Sequence, residues 1–502
     1  MKTLIPLGSI DLVTTFRQNP PPTLRWGVFF LVTLASFGTR LYRVEAPAHV
    51  CWDETHFGKM ASWYINRTFF FDVHPPLGKM MIAASGYLTG YDGKFGFVKP
   101  GDRYDDVNYL GMRVVCAILG ACLVPFVFET VWEVTKSLPA ATLAGSMILL
   151  DFGVLTLTQY ILLDPYMLFF IAGATMCLAK FNGCSERPFS VLWFFWLFSV
   201  GTCLAGAIGV KFVGLFIVLY VGFQTIRDLW VVLGDLSRPL LYTLQHFIAR
   251  AVCLILWPFL LYVLFFYIHL RVLSKTGTGD GHFSSAFQST LEGNPLYNAS
   301  MPAALVNFPS RSQATEKMEQ VTQMTCGVSM LRISKKVTRS ILYELCSKFI
   351  IISQDALCTR TGKPYQSVPN VSIEIYKPSF ISRFIEAHAV MFQGNADLKP
   401  KAGENFARPW QWPIDFRGQW FSASDSMYIY LLGNPVIWWG NLLLLLVFLS
   451  CQFWNIVKER RGTQEAPAIK KTPEITPEGP GILPVVSKTK FFKKFWHIDY
   501  CR

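Results

Sequence analysis

The thirty residues from Val50 to Lys79 concentrate the groups in this chain that could do chemistry. They hold an adjacent carboxylate pair (Asp53, Glu54), two histidines (His56, His74), two lysines (Lys59, Lys79), three consecutive phenylalanines (69–71) and Pro75-Pro76. A carboxylate beside an acceptor hydroxyl can act as a general base, and cations nearby stabilise a phosphate that gains charge as it departs. A linker that merely joins two membrane helices needs none of this. Three further ionisable residues stand where hydrophobic segments begin: Arg113, Asp164 in TyrIleLeuLeuAspProTyr, and Lys211 in GlyAlaIleGlyValLysPheValGly. Charges inside or at the rim of a span are costly, so each is a candidate functional group. Taken singly, each reads equally well as a snorkelling or ion-paired rim residue. Arg113 suits a phosphate because its planar fork donates two hydrogen bonds at once. One imidazole (His56) and two adjacent carboxylates make a thin case for a metal, so no metal site is expected. His74, before Pro75-Pro76, either faces a ligand or anchors a tight turn.

The elements that must position these groups are membrane helices. Of the 502 residues 52% are hydrophobic and only 16% charged, with mean hydropathy +0.34. Soluble domains carry about 25% charged residues. Eight segments approach the twenty residues that a bilayer core requires: 26–42, 112–134, 140–158, 160–180, 191–207, 209–226, 247–270 and 434–456. This predicts an all-α polytopic membrane protein. Its expected parts are an N-terminus (1–25), a seven-span membrane domain (26–270) with a large loop at 43–111, a second loop (271–433), an eighth span (434–456) and a basic tail (457–502). The first span is expected to stay as a signal anchor, since residues 1–25 lack an apolar core.

Orientation follows from two signals. Sequons at Asn66, Asn298 and Asn370 all fall in the two large loops, whereas Arg17, Arg25, Arg227, Arg238, Arg250 and the Lys/Arg-rich tail fall on the other side. Basic residues favour the cytosol and N-glycans the lumen. The loops are therefore expected in the lumen and both termini in the cytosol, and the count of spans brings Asp53, Glu54, His74, Arg113, Asp164 and Lys211 to one lumenal membrane face. The formal charge of +13 belongs to these membrane edges and the tail, so nucleic acid is not an expected partner. Twelve cysteines are scattered without CxxC or metal-ligand spacing, which argues against a disulfide scaffold or a zinc site. Residues 303–369 show short, inconclusive patterns. The stretch ArgProTrpGlnTrpPro (408–413) reads as an interfacial aromatic belt or as part of the site. The tail's LysPhePheLysLysPheTrp (490–496) could touch anionic lipid.

At this point the motifs carry a resemblance. The Asp-Glu pair followed by HisProProLeuGlyLys (74–79), with TyrLeuGlyMetArg (109–113), TyrIleLeuLeuAspPro (160–165), GlyValLysPheValGly (209–214), GlyAspGlyHisPheSerSerAlaPheGln (279–288), LysProSerPhe (377–380) and LeuLeuGlyAsnPro (431–435), resembles the protein O-mannosyltransferase family of GT-C glycosyltransferases. Its wording is closer to the second of the two animal paralogues. The resemblance implies a GT-C helical bundle with a structured first lumenal loop. It also implies an enzyme of the endoplasmic reticulum membrane that moves mannose from dolichyl-phosphate-mannose to Ser/Thr hydroxyls of proteins, with inversion and no organic cofactor. Asp53 would be the base and Glu54 its partner; Arg113, and less directly Lys211, would meet the donor phosphate, supported by His74, Lys79 and Asp164. A paralogous subunit would complete a heterodimer, and acceptors would be Ser/Thr-rich segments. The chain departs from the family in two places. Residues 303–369 are too short for the family's three MIR repeats, and one span follows where the family has several. A shortened, non-catalytic partner subunit is therefore the alternative. A transporter is disfavoured because the charges gather at one face and no inverted repeat is visible.

Overall fold

The computed structural model describes residues 20–298, 378–398, 408–423 and 428–461. Asn370, residues 303–369 and the 490–496 segment lie outside them, as does the side chain of Asn298. In chain order the helices are α1 (Pro22–Leu41), α2 (Glu54–Ile65), α3 (Leu77–Leu88), α4 (Leu110–Thr135), α5 (Leu138–Leu150), α6 (Phe152–Gln159), α7 (Asp164–Gly183), α8 (Val191–Val210), α9 (Phe212–Leu233), α10 (Leu240–Val272) and α11 (Phe380–Asp397). A two-stranded antiparallel hairpin, β1 (Gln419–Ala423) and β2 (Tyr428–Leu431), precedes α12 (Pro435–Arg460). The chain divides into two compact units at Gly440/Asn441, inside α12; the described part of the second is the remainder of that apolar helix with its basic end at Lys458 and Arg460.

Six described helices are long and apolar enough to cross a membrane (α4, α7, α8, α9, α10 and α12), and seven if α5 and α6 form one broken span. Eight spans were expected, and two differ. The segment 26–42 does form α1, of spanning length, but Arg25 and Arg40 at its two ends keep it outside that class. The segment 140–158 is not one rod: α5 and α6 meet at 58°. Asp151 makes the bend by capping α6, its Oδ1 accepting from Val154 N–H at 2.8 Å, while Oδ2 accepts from Trp438 Nε1 at 2.8 Å. A carboxylate that caps one helix and anchors the start of another stops the helix preceding it.

Small residues let the bundle close. Gly201 on α8 faces the carbonyl of Cys253, and a methyl group there would stand 2.0 Å from that oxygen. Cys253 lies in a π-helical turn (Val252–Leu256) just before Pro258, where the missing proline N–H loosens the helical ladder. On α9, Leu219, Phe223, Ile226 and Trp230 form an exposed apolar stripe, the surface that lipid replaces water against. At one end of the bundle Glu129 pairs with Arg25 and Lys180, tying α1, α4 and α7.

The other end carries the loops. Residues 43–111 pack on this end, partly as the helices α2 and α3. The face Phe57, Ala61, Tyr64 of α2, at helical spacing, is buried in a core that also takes Phe69, Phe70, Ile82, Ile161–Leu163, Phe266, Phe283 and Phe421. Segment 274–280 runs against residues 68–71, an approach so close that Cβ atoms on Gly277 and Gly279 would stand 2.0 and 2.1 Å from Phe69 O and Phe71 N. α11 lies over the same loop, with Asn395 Nδ2 donating to Val73 O at 2.8 Å and Phe392 stacked on Phe212.

Candidate active site

Asp53 and Glu54 are neighbours in sequence and opposites in environment. Asp53 is the N-cap of α2; its carbonyl accepts from His56 N–H (3.0 Å) and Phe57 N–H (3.1 Å). Glu54 begins the helix and turns inward, with a fully buried carboxylate. It accepts from Cys51 N–H at 2.8 Å, Ile161 N–H at 3.0 Å, Tyr104 OH at 3.1 Å, and Arg113 Nε and NH2 at 2.8 and 2.7 Å. Four separate stretches, the 50s loop, the α3–α4 loop, α4 and the α6–α7 connection, therefore meet on one carboxylate.

Arg113 is where the structure corrects expectation. Its side chain is 0% exposed, as is that of Glu54. Its remaining donors go to the carbonyls of Pro47 (2.8 Å) and His49 (3.0 Å), and the rings of Tyr104, Tyr109 and Tyr160 surround it. No face is left for a donor phosphate. The planar fork that suits phosphate suits a carboxylate equally well, and Glu54 has taken it. Arg113 and Asp53 do not share a cavity.

Lys211 and Asp164 are different. Lys211 directly follows α8, Asp164 opens α7, and Nζ stands 3.0 Å from both carboxylate oxygens. The side chains are 17% and 26% exposed, so water and a ligand can reach them. This pair acts on Asp53 electrostatically: burial raises the Asp53 carboxyl above the ordinary aspartate range, His56 and Lys211 pull it back down, and Asp164 pushes it up. His74 senses the same pair; burial lowers its imidazole to about 4, against the opposing pull of Asp72. His74 is thus neutral near pH 7. The loop end brings together Asp53, His56, His74, Asp164 and Lys211.

Lys79 does not join them as a free cation. It is 2% exposed, is ion-paired with Asp72, and donates to His74 O at 2.6 Å. Its work is to hold residues 72–74 in place, a support role at one remove. Beside it lies a cavity of about 20 Å³ lined by Asp72, His74, Lys79 and His269, room for about one water and too small for a sugar. Among the described residues no group of three His, Cys, Asp or Glu side chains could hold a metal ion. Asn66 is exposed at the end of α2, its Nδ2 donating to Gly93 O at 2.7 Å.

Sequence reasoning missed Asp72, the tyrosine box and the hairpin. Asp72 had a signal, being an acid in an otherwise apolar stretch one short turn from Lys79. The tyrosines and the hairpin had none, since their contacts join residues far apart in the chain.

Known proteins agree with this architecture. Residues 30–274 match the dolichyl-phosphate-mannose-protein mannosyltransferase family, and residues 380–483 match the C-terminal four-span region of protein O-mannosyltransferases. Protein O-mannosyl-transferase 2 of Drosophila melanogaster is 41% identical, over 87% of this chain and 73% of its own length. Its namesake from Danio rerio is 39% identical over 84% and 72%. A solved structure, the Saccharomyces cerevisiae Pmt1–Pmt2 protein O-mannosyltransferase complex bound to its sugar donor, shares the fold with a TM-score of 0.70 at 22% identity, covering 92% of this chain and 79% of that one. Extensive matches of this kind, on a multi-span helical protein with the Asp53 cluster at its loop end, have one consequence: the chain belongs to the dolichyl-phosphate-mannose-protein mannosyltransferase family, and is a membrane glycosyltransferase that mannosylates proteins.

Proposed function

We propose that this enzyme transfers mannose from dolichyl-phosphate-mannose to Ser/Thr hydroxyls, on the lumenal side of the endoplasmic reticulum membrane, with Asp53 as general base. The acceptor O–H gives its proton to the Asp53 carboxylate as its oxygen attacks the anomeric carbon. The bond from that carbon to the phosphate oxygen breaks on the opposite face, so the configuration inverts and dolichyl phosphate leaves. Lys211, held by Asp164, meets the phosphate as charge grows on it. His56 and His74 line the approach; Glu54 and Arg113 do not touch substrate and fix the loop that carries Asp53. The lipid donor is itself a substrate, and the reaction draws on no organic cofactor. The observation that carries this reading is the partly buried Asp53 carboxylate within electrostatic reach of the solvent-reachable Lys211–Asp164 pair. A paralogous subunit completes the enzyme, both termini face the cytosol, and acceptors are Ser/Thr-rich protein segments.

Asp53→Asn tests the chemistry. In membranes that also contain the paralogous subunit, it should lower transfer from lipid-linked mannose by about 10²–10⁴-fold while donor binding persists. Unchanged transfer would make the chain a non-catalytic partner of that subunit. Orientation is tested by glycan mapping: an endoglycosidase-sensitive glycan on Asn66 agrees with it, and modification of a sequon engineered into residues 463–500 contradicts it.

A further inference from the structure

Asp53 is held on one side by Glu54, which Arg113 locks. Its other neighbour, Trp52, is in an unusual state, with φ +30, a conformation that a bulky residue adopts only when its surroundings impose it. The imposing group comes from the far end of the chain. Trp52 N–H donates to the carbonyl of Phe421 at 3.0 Å, and the Phe421 ring packs on Trp52 (centroids 4.9 Å apart) and on Tyr160 (5.7 Å). Phe421 is 2% exposed. One residue on, Ser422 Oγ lies 2.6 Å from His49 Nε2, fastening the same strand to the same loop.

The hairpin is built for this contact. Trp420 pairs with Tyr430 and Ser422 with Ile429, so Phe421 is an extra residue with no partner on β2. Such a bulge leaves one carbonyl out of the ladder and re-aims its side chain. Here both the freed carbonyl and the ring go to Trp52. The flanking Trp420 ring stays exposed, so the strand commits a single residue to the loop.

We propose that Phe421 is a positioning residue for Asp53: by holding Trp52 in its strained conformation it sets where the Asp53 carboxylate stands. Without the Phe421 contact, Trp52 relaxes toward negative φ against its remaining hold, the Thr55 N–H and Oγ1 that donate to its carbonyl at 3.2 and 2.9 Å, and the Asp53 carboxylate shifts toward water. Glu54, on its own anchor, stays where it is. The segment just before α12 is thereby tied to the chemistry in the first loop. The inference rests on Asp53 being the base, and its test separates the two ideas.

The full chain, co-expressed with its paralogous subunit in membranes, is assayed for transfer from dolichyl-phosphate-mannose to a Ser/Thr-rich peptide, with rates expressed per folded enzyme. Phe421→Ala should lower kcat by about 10–100-fold, the scale of a base misplaced by about an ångström, and leave the donor KM within about twofold. Phe421→Leu, which keeps the carbonyl and part of the volume, should fall between Ala and wild type, and it carries the test if Phe421→Ala fails to fold. Trp420→Ala on the same hairpin should behave as wild type. The acidic limb of kcat should also move to lower pH in the Phe421 variants as Asp53 gains water; His56, Lys211 and Asp164, the charged groups facing Asp53, are unaltered. If the Phe421 variants lower only the yield of folded protein, with kcat and the pH limb unchanged, the positioning role is overturned. Full transfer by Asp53→Asn would instead remove the base reading on which the role depends.

Discussion

Glu54–Arg113 and Asp164–Lys211 are both carboxylate–cation pairs at the same end of the bundle, and the cation of each was a candidate for the donor phosphate. The first is sealed: neither side chain is exposed, and backbone and tyrosine groups take the remaining hydrogen-bonding positions. The second is open, with 17% and 26% of its side chains reachable. Residue type does not separate them, because arginine is the better phosphate ligand on chemistry alone. Saturation separates them. A charge whose every donor or acceptor is already met by protein is scaffold, and a charge with an open face can still do chemistry.

Removing one member of the sealed pair should have the largest effect. Arg113→Ala leaves the Glu54 carboxylate buried without its cation, a loss that costs about 3–5 kcal/mol in comparable pairs. The measurable outcome is a large drop in the thermal stability of detergent-purified protein. Arg113→Lys should recover little, since an ammonium cannot satisfy both carboxylate oxygens and two carbonyls in one plane. The double variant Arg113→Met/Glu54→Leu should recover only part, because Cys51 N–H, Ile161 N–H and Tyr104 OH then lose their acceptor. Full stability in Arg113→Ala would dissolve the distinction between the pairs.

The open pair should fail in the opposite way. Lys211→Ala should cost less thermal stability than Arg113→Ala, because the Asp164 left behind keeps an open face that water can solvate. It should weaken both donor binding and turnover, the phosphate interaction acting in the ground state and more strongly in the transition state. Lys211→Arg should restore part of the loss. A Lys211→Ala protein with normal donor affinity would show that the phosphate is met elsewhere.

The same contrast explains what the sequence could disclose. The hydrophobic segments, the loop rich in chemistry and its end of the bundle were legible, because spans are long, apolar and counted from one end. Asp164 and Lys211 were legible as charges on one face for the same reason, each opening or following a span at that end, but not as an ion pair. Burial was not legible. Arg113 and Lys211 look alike as rim cations, and only the path of residues 45–51 around Arg113, and of Asp72 beside Lys79, decides which of the cations is open. The break between α5 and α6 hid because Asp151 reads as one polar residue in an apolar run until Trp438 is placed against it. Phe421 hid for a similar reason, its partner Trp52 lying near the other end of the chain.

The smallest effect is also the most discriminating, because its sign can be worked out for two variants at once. Asp53 works as a base only when ionised, so turnover should fall as pH drops through its raised pKa. Lys211 lowers that pKa and Asp164 raises it. Lys211→Gln removes the lowering charge and leaves Asp164 unpaired, so the acidic limb of kcat should move to higher pH. Asp164→Asn removes the raising charge and leaves Lys211 unpaired, so the limb should move to lower pH. His74 contributes no competing titration near neutrality, since its imidazole is already held down to about 4, and His56→Gln should shift the limb upward with Lys211→Gln. Limbs that move together in Lys211→Gln and Asp164→Asn would assign the titrating group to a carboxylate other than Asp53.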